Sequence, residues 1–105
     1  MNSITVKELK NKFISKDQFF LIDIREPYEI NIAKIKESIH IPMNEIPNEV
    51  KKFKQNDELV IMCRSGIRSE LICNYLEENS FTKVYNLTGG IIAWSKEIDP
   101  EITIY

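Results

Sequence analysis

The sequence predicts an α/β domain with a largely parallel sheet. Two compact apolar runs, residues 19–24 (FFLIDI) and 58–63 (ELVIMC), read as buried strands. Segments with helical spacing separate the strand-like runs. Strand and helix therefore alternate along the chain, which is the pattern of parallel sheets.

The elements follow in order. Thr5, with Glu8 three residues later, forms a capping box that opens a helix through about Phe13. The first buried strand covers residues 19–24, and Pro27 then opens a helical turn over residues 27–34 (PYEINIAK). Residues 38–41 form a short strand stopped by Pro42. Pro47 suits the first turn of a helix that runs to about Phe53. The second buried strand ends at Cys63, and Ser65 and Gly66 break it. Residues 67–79 have amphipathic spacing, with Ile67, Leu71, Ile72, Tyr75 and Leu76 expected on one side. Residues 83–87 form another strand, Gly89 and Gly90 a turn, and residues 91–98 (IIAWSKEI) a last short helix. The tail, residues 102–105 (ITIY), is expected to add an edge strand.

The chain has 105 residues, 43% of them hydrophobic and 29% charged, which fits one soluble domain. No apolar run approaches the roughly 20 residues needed to span a bilayer, and the first residues hold no signal-like apolar core. The expectation is a cytoplasmic protein with no membrane association. A net charge of -2 argues against a general nucleic-acid binder. Eleven of the fourteen cations are Lys, spread over the chain, and only Arg25, Arg64 and Arg68 are Arg. Two of the three lie within five residues of Cys63, where a planar multi-donor cation has a use. The two cysteines, Cys63 and Cys73, lack CxxC spacing and read as thiols; one His and two Cys without ligand spacing do not suggest a zinc site.

Cys63 is placed where α/β sheets bind ligands: last in a strand, first in a loop, ahead of a helix. A helix N-terminus presents free N–H groups and partial positive charge, and Arg64 and Arg68 add full charges. Such settings favour the thiolate. The loop from Cys63 to Arg68 suits a nest of inward N–H groups around an anion, with Gly66 supplying backbone freedom and Ser65 and Ser69 supplying hydroxyls.

Three segments then resemble the rhodanese family. Residues 21–42 (LIDIREPYEINIAKIKESIHIP) are similar to its first motif, with an Asp-x-Arg-Glu and a closing strand ending in Ile-Pro. Residues 63–69 (CRSGIRS) resemble its active-site loop, Cys-Arg-x-Gly-x-Arg. Residues 86–100 (NLTGGIIAWSKEIDP) resemble its Gly-Gly-x-x-x-Trp motif. The resemblance implies a single rhodanese-like domain over residues 1–105, with a central, largely parallel five-stranded sheet and helices on both faces. It implies a sulfurtransferase of the thiosulfate type. Cys63 would be the nucleophile that carries a persulfide, and Arg64, Ser65, Gly66, Ile67, Arg68 and Ser69 would bind the substrate. Asp23 and Arg25 would brace the loop from a neighbouring strand end; Arg25 and Glu26 forming a local surface pair is the alternative. Trp94 would pack under the Gly89-Gly90 turn, Cys73 would be a buried thiol and His40 structural. No metal or organic cofactor is implied. The partners would be a small anionic sulfur donor and a thiol or cyanide acceptor, with a sulfur-relay protein as another source, acting on a monomer.

The chain departs from the family at residues 33–38 (AKIKES), where many relatives have Gly-His-Ile-Pro-Gly-Ala. Two rival readings stand beside this one. Phosphatases and arsenate reductases also use a reactive Cys and an Arg, but with five residues between them; only four separate Cys63 from Arg68. Non-enzymatic relatives that bind partners usually lack the Cys, and Cys63 is present.

Overall fold

A computed structural model describes residues 2–105. Five strands form one sheet: β1 (Asn2–Ile4), β2 (Phe20–Asp23), β3 (Ile39–His40), β4 (Glu58–Met62) and β5 (Lys83–Leu87). The helices are α1 (Val6–Ile14), α2 (Pro27–Ile32), α3 (Ile46–Glu49), α4 (Ile67–Glu78) and α5 (Gly90–Glu97). Strand order is β1-β5-β4-β2-β3 and every neighbouring pair is parallel, so the sheet is wholly parallel.

Two apolar layers cover the sheet. On one face Ile22, Leu59, Ile61 and Val84 pack with Ile46, Val50, Ile72, Cys73 and Leu76 from α3, α4 and their surroundings. On the other, Leu21, Val60, Met62 and Leu87 pack with Val6, Leu9, Ile91 and Trp94 from α1 and α5. Successive strand residues thus point to opposite layers, as the period of two requires. Helices therefore flank both faces. No helix among the described residues is long and apolar enough to cross a membrane.

Local expectations hold where side chains cap the backbone. Thr5 Oγ1 accepts from Glu8 N at 3.1 Å, and Glu8 Oε1 accepts from Thr5 N at 2.9 Å. Two expectations need correction. The fifth strand is β1 and not the tail. Three residues are too few to show a period, yet Ile4 lies opposite Leu87 and closes that edge. Beyond α5 the chain turns instead of extending. Glu101 N donates to Asp99 Oδ1 at 3.1 Å, Ile102 N to Asp99 O at 3.1 Å, and Ser95 Oγ to Ile102 O at 2.5 Å. That turn sends Tyr105 toward the β2 end.

The second correction concerns α4. Its buried stripe is Ser69, Ile72, Cys73 and Leu76, while Ile67 is 73% and Leu71 58% exposed. The helix is turned so that Ser69 faces Cys63. The inward spacing of i, i+3, i+4 and i+7 therefore starts at a polar residue, which an apolar pattern cannot reveal.

Because all strands are parallel, their carboxyl ends share one edge. β4 leads on to β5 on one side, and β2 leads to β3 on the other. The order thus reverses between β2 and β4, which is where open α/β sheets form a crevice. Cys63 follows β4 and Arg25 follows β2, flanking that point.

Candidate active site

The loop after β4 wraps the sulfur of Cys63, which is 1% exposed. Gly66 N donates to Cys63 Sγ at 3.0 Å and Ser69 N donates at 3.4 Å. Gly66 has φ +106°, which lets the chain turn its N–H inward and start α4 at once. Two backbone donors at a helix N-terminus thus face one sulfur, an arrangement that stabilises negative charge on it.

The carbonyls of the loop are held outward by α5. Ile91 N donates to Cys63 O at 3.0 Å and Ile92 N to Arg64 O at 3.2 Å. The approach is close enough that a Cβ at Gly90 would sit 2.4 Å from Arg64 O and 2.5 Å from Cys63 O. The Gly-Gly turn therefore matters for where it lets α5 come. Trp94 is buried in the layer beneath, among Phe13 and its neighbours.

Asn86, on β5, ties the loop from below. Its Nδ2 donates to Gly66 O at 3.1 Å, which leaves Oδ1 to accept from Ser69 Oγ in a short hydrogen bond. Ser69 Oγ also lies 3.3 Å from Cys63 Sγ. With its proton committed to Asn86, the Ser69 hydroxyl is placed to accept from the Cys63 thiol. Ser69 therefore meets the sulfur through its backbone N–H as donor. Its hydroxyl does not donate there as expected.

The arginines separate. Arg25 is fully buried, and Nε and Nη2 pair with Asp23 at 3.0 and 2.7 Å. Nη2 also donates to Ala33 O at 2.7 Å and Nη1 to the Tyr105 hydroxyl at 2.7 Å. Burial opposes its charge, but the bonds to Asp23 and Tyr105 more than offset this and hold its pKa above the ordinary value. A surface pair with Glu26 is excluded by this burial. Among the described residues, no hydrogen bond or ion pair joins Asp23 or Arg25 to the loop of residues 63–69. They hold the α2 end and Tyr105, and so act on the loop at one remove. His40 Nε2 donates to Arg25 O at 2.7 Å, a structural contact.

Arg68 forms a two-pronged pair with Glu29, at 2.7 and 2.9 Å. This pair, helped by the Tyr105 hydroxyl and opposed by burial, depresses the Glu29 pKa to about 2. The same bond raises that of Arg68. Arg68 thus enters the site with its charge already balanced. Arg64 is exposed, and its guanidinium lies 5.0 Å from the Tyr105 ring centroid. The side chains of Ser65 and Ile67 point to solvent.

Three contributors escaped the sequence reading: Glu29, Asn86 and Tyr105. Glu29 sits at the third position of α2, where a carboxylate has an ordinary capping use; it does accept from Glu26 N at 3.0 Å. A lone Asn between apolar strand residues, just before Gly89-Gly90, was the readable signal for Asn86. Cys73 is buried in the same apolar layer as Cys63, and burial pushes its pKa up to about 12.

The rhodanese-like domain description matches residues 5–97. A putative sulfurtransferase, YtwF, of Bacillus subtilis is 37% identical over 101 residues, covering 96% of this chain and 97% of the relative. A sulfurtransferase of Allochromatium vinosum is 36% identical over 96 residues, covering 91% of this chain and 90% of the relative. A rhodanese-like domain protein of Staphylococcus aureus, solved by crystallography, superposes with a TM-score of 0.85 at 34% identity, covering 100% of this chain and 99% of that one.

Proposed function

The chain belongs to the rhodanese-like domain family, and from that premise we propose that it is a sulfurtransferase whose Cys63 carries a sulfane sulfur as a persulfide. One observation carries this reading: the amide groups of Gly66 and Ser69 converge on Cys63 Sγ at the start of α4. An arrangement that stabilises a sulfur anion suits a nucleophile that must be a thiolate before the reaction and a persulfide after it.

In the first step the Cys63 thiolate attacks the outer sulfur of thiosulfate. The new S–S bond forms as the old one breaks, and sulfite departs with the electron pair. In the second step a thiolate or cyanide attacks the outer sulfur of the persulfide. The product leaves as a persulfide or thiocyanate, and Cys63 returns as the thiolate. Splitting the transfer into two displacements at one cysteine is ordinary covalent catalysis. No net oxidation occurs over the cycle.

Arg64 has no carboxylate partner among the described residues, so it is the cation suited to the donor's sulfonate oxygens. Arg68, paired with Glu29, shapes the first turn of α4 and contributes less free charge. Ser65, Gly66 and Ile67 supply loop backbone. Asp23 and Arg25 support the frame. The same reading takes the protein as a one-domain cytoplasmic enzyme; both of its cysteines are free thiols. One relative, covered over 50% of its length, is a putative sulfur carrier protein of Bacillus subtilis, which favours a protein-borne donor or acceptor beside thiosulfate.

The test is thiocyanate formation from thiosulfate and cyanide. Wild-type protein is expected to turn over and the Cys63→Ser variant to be inactive. Equal rates in the two proteins would overturn the assignment of Cys63.

A further inference from the structure

Charge around the loop mouth is mostly matched in pairs. Asp23 faces Arg25 and Glu29 faces Arg68. Arg64 alone of the three arginines has no carboxylate partner among the described residues, and its long side chain is exposed. A free arginine side chain samples many rotamers, and ordering it costs entropy when a ligand binds.

Tyr105 supplies what the loop does not. Its hydroxyl donates to Glu29 Oε2 at 2.6 Å and accepts from Arg25 Nη1 at 2.7 Å. Both anchors are themselves buried and paired, so the ring is fixed at its polar end. Its face then lies 5.0 Å from the Arg64 guanidinium, within cation–π range. The turn after α5, closed by Asp99 and Ser95, delivers the residue to this point.

We propose that Tyr105 is a positioning residue, acting through Arg64 to present a pre-ordered guanidinium to an anionic sulfur donor. This rests on the donor reading above. The ring restricts Arg64 before the donor arrives, so less entropy is lost on binding. Removing the ring should therefore raise KM for thiosulfate while leaving the displacement at Cys63 nearly as fast. The Arg25–Asp23 and Glu29–Arg68 pairs are made by other atoms and are expected to persist.

The test compares Tyr105→Ala, Tyr105→Phe and Arg64→Ala, with Tyr105→Ala also made in the Arg64→Ala background. Tyr105→Ala is expected to raise KM about two- to five-fold, the size of one exposed cation–π contact, with kcat changed by less than about two-fold. Tyr105→Phe keeps the ring but loses both hydroxyl bonds that fix it, and should give a KM between those of the wild type and Tyr105→Ala. In the Arg64→Ala background, Tyr105→Ala should raise KM no further. An equal rise in both backgrounds would overturn the proposal, because a merely structural plug predicts it, and so would a Tyr105→Ala KM equal to that of the wild type. Absence of thiosulfate turnover in wild type would overturn the donor reading instead. The positioning claim would then be decided by sulfite affinity of the Cys63→Ser protein in calorimetry. There Tyr105→Ala should weaken binding by the same factor, and unchanged affinity would overturn it.

Discussion

Replacing Gly90 by Ala tests how the active loop is held. The added Cβ would lie 2.4 Å from Arg64 O and 2.5 Å from Cys63 O, both backbone atoms, and the residue sits at φ +58°. An L-residue held in the left-handed region costs about 1 kcal/mol. Relieving the contact requires α5 and the loop to part by most of an ångström. That weakens the bonds from Ile91 N and Ile92 N to the loop carbonyls, each worth about 1 kcal/mol. The sum is a destabilisation of roughly 3 kcal/mol. Urea unfolding at neutral pH measures it, and thiosulfate turnover of the folded variant reports on loop geometry. Activity should fall more than ten-fold under conditions where the variant is folded, since ~1 Å of misplacement can cost that much. A loss under 1 kcal/mol with full turnover would refute the claim that α5 positions the loop through this contact.

Two further outcomes are expected. Glu29 is held near pKa 2 against an ordinary 4.5, so its pairing contributes stability that is present above pH 4.5 and is lost as pH falls toward 2. Glu29→Gln should therefore cost up to about 3 kcal/mol at pH 7, with the gap to wild type narrowing below pH 4.5 in urea unfolding; a gap that stays constant with pH would contradict the assignment. Cys73 is buried, with its pKa pushed up to about 12, in the layer under α4. Cys73→Ala should keep thiosulfate turnover within about two-fold of wild type, as expected of a packing residue whose loss leaves the reacting atoms untouched; loss of activity in a folded variant would make it a resolving thiol.

Fold class was legible because β2 and β4 are short apolar runs and segments of helical spacing separate the strand-like stretches. The position of Cys63 followed from the same reading, since it ends one of those runs. The parts that were not legible are those decided by partners far apart in the chain. β1 is three residues, too short for a period, and is recruited by β5. The residues at 102–105 carry a strand-like composition, yet the turn at Asp99 takes them elsewhere. The inward face of α4 starts at Ser69, against Cys63, so it takes in Ile72 and Leu76 but leaves Ile67 and Leu71 outside. Arg68 looked like a free cation beside the cysteine because Glu29, thirty-nine residues earlier, does not show itself as its partner. Tyr105 meets Arg25 across eighty residues, a contact no local pattern encodes.

The most direct test of the account is the intact mass of reduced protein after incubation with thiosulfate, beside a Cys63→Ser control. The account predicts a gain of one sulfur atom in the wild type, removed by cyanide, and none in the control. An unchanged wild-type mass in folded protein with a free Cys63, or the same gain in the control, would contradict it.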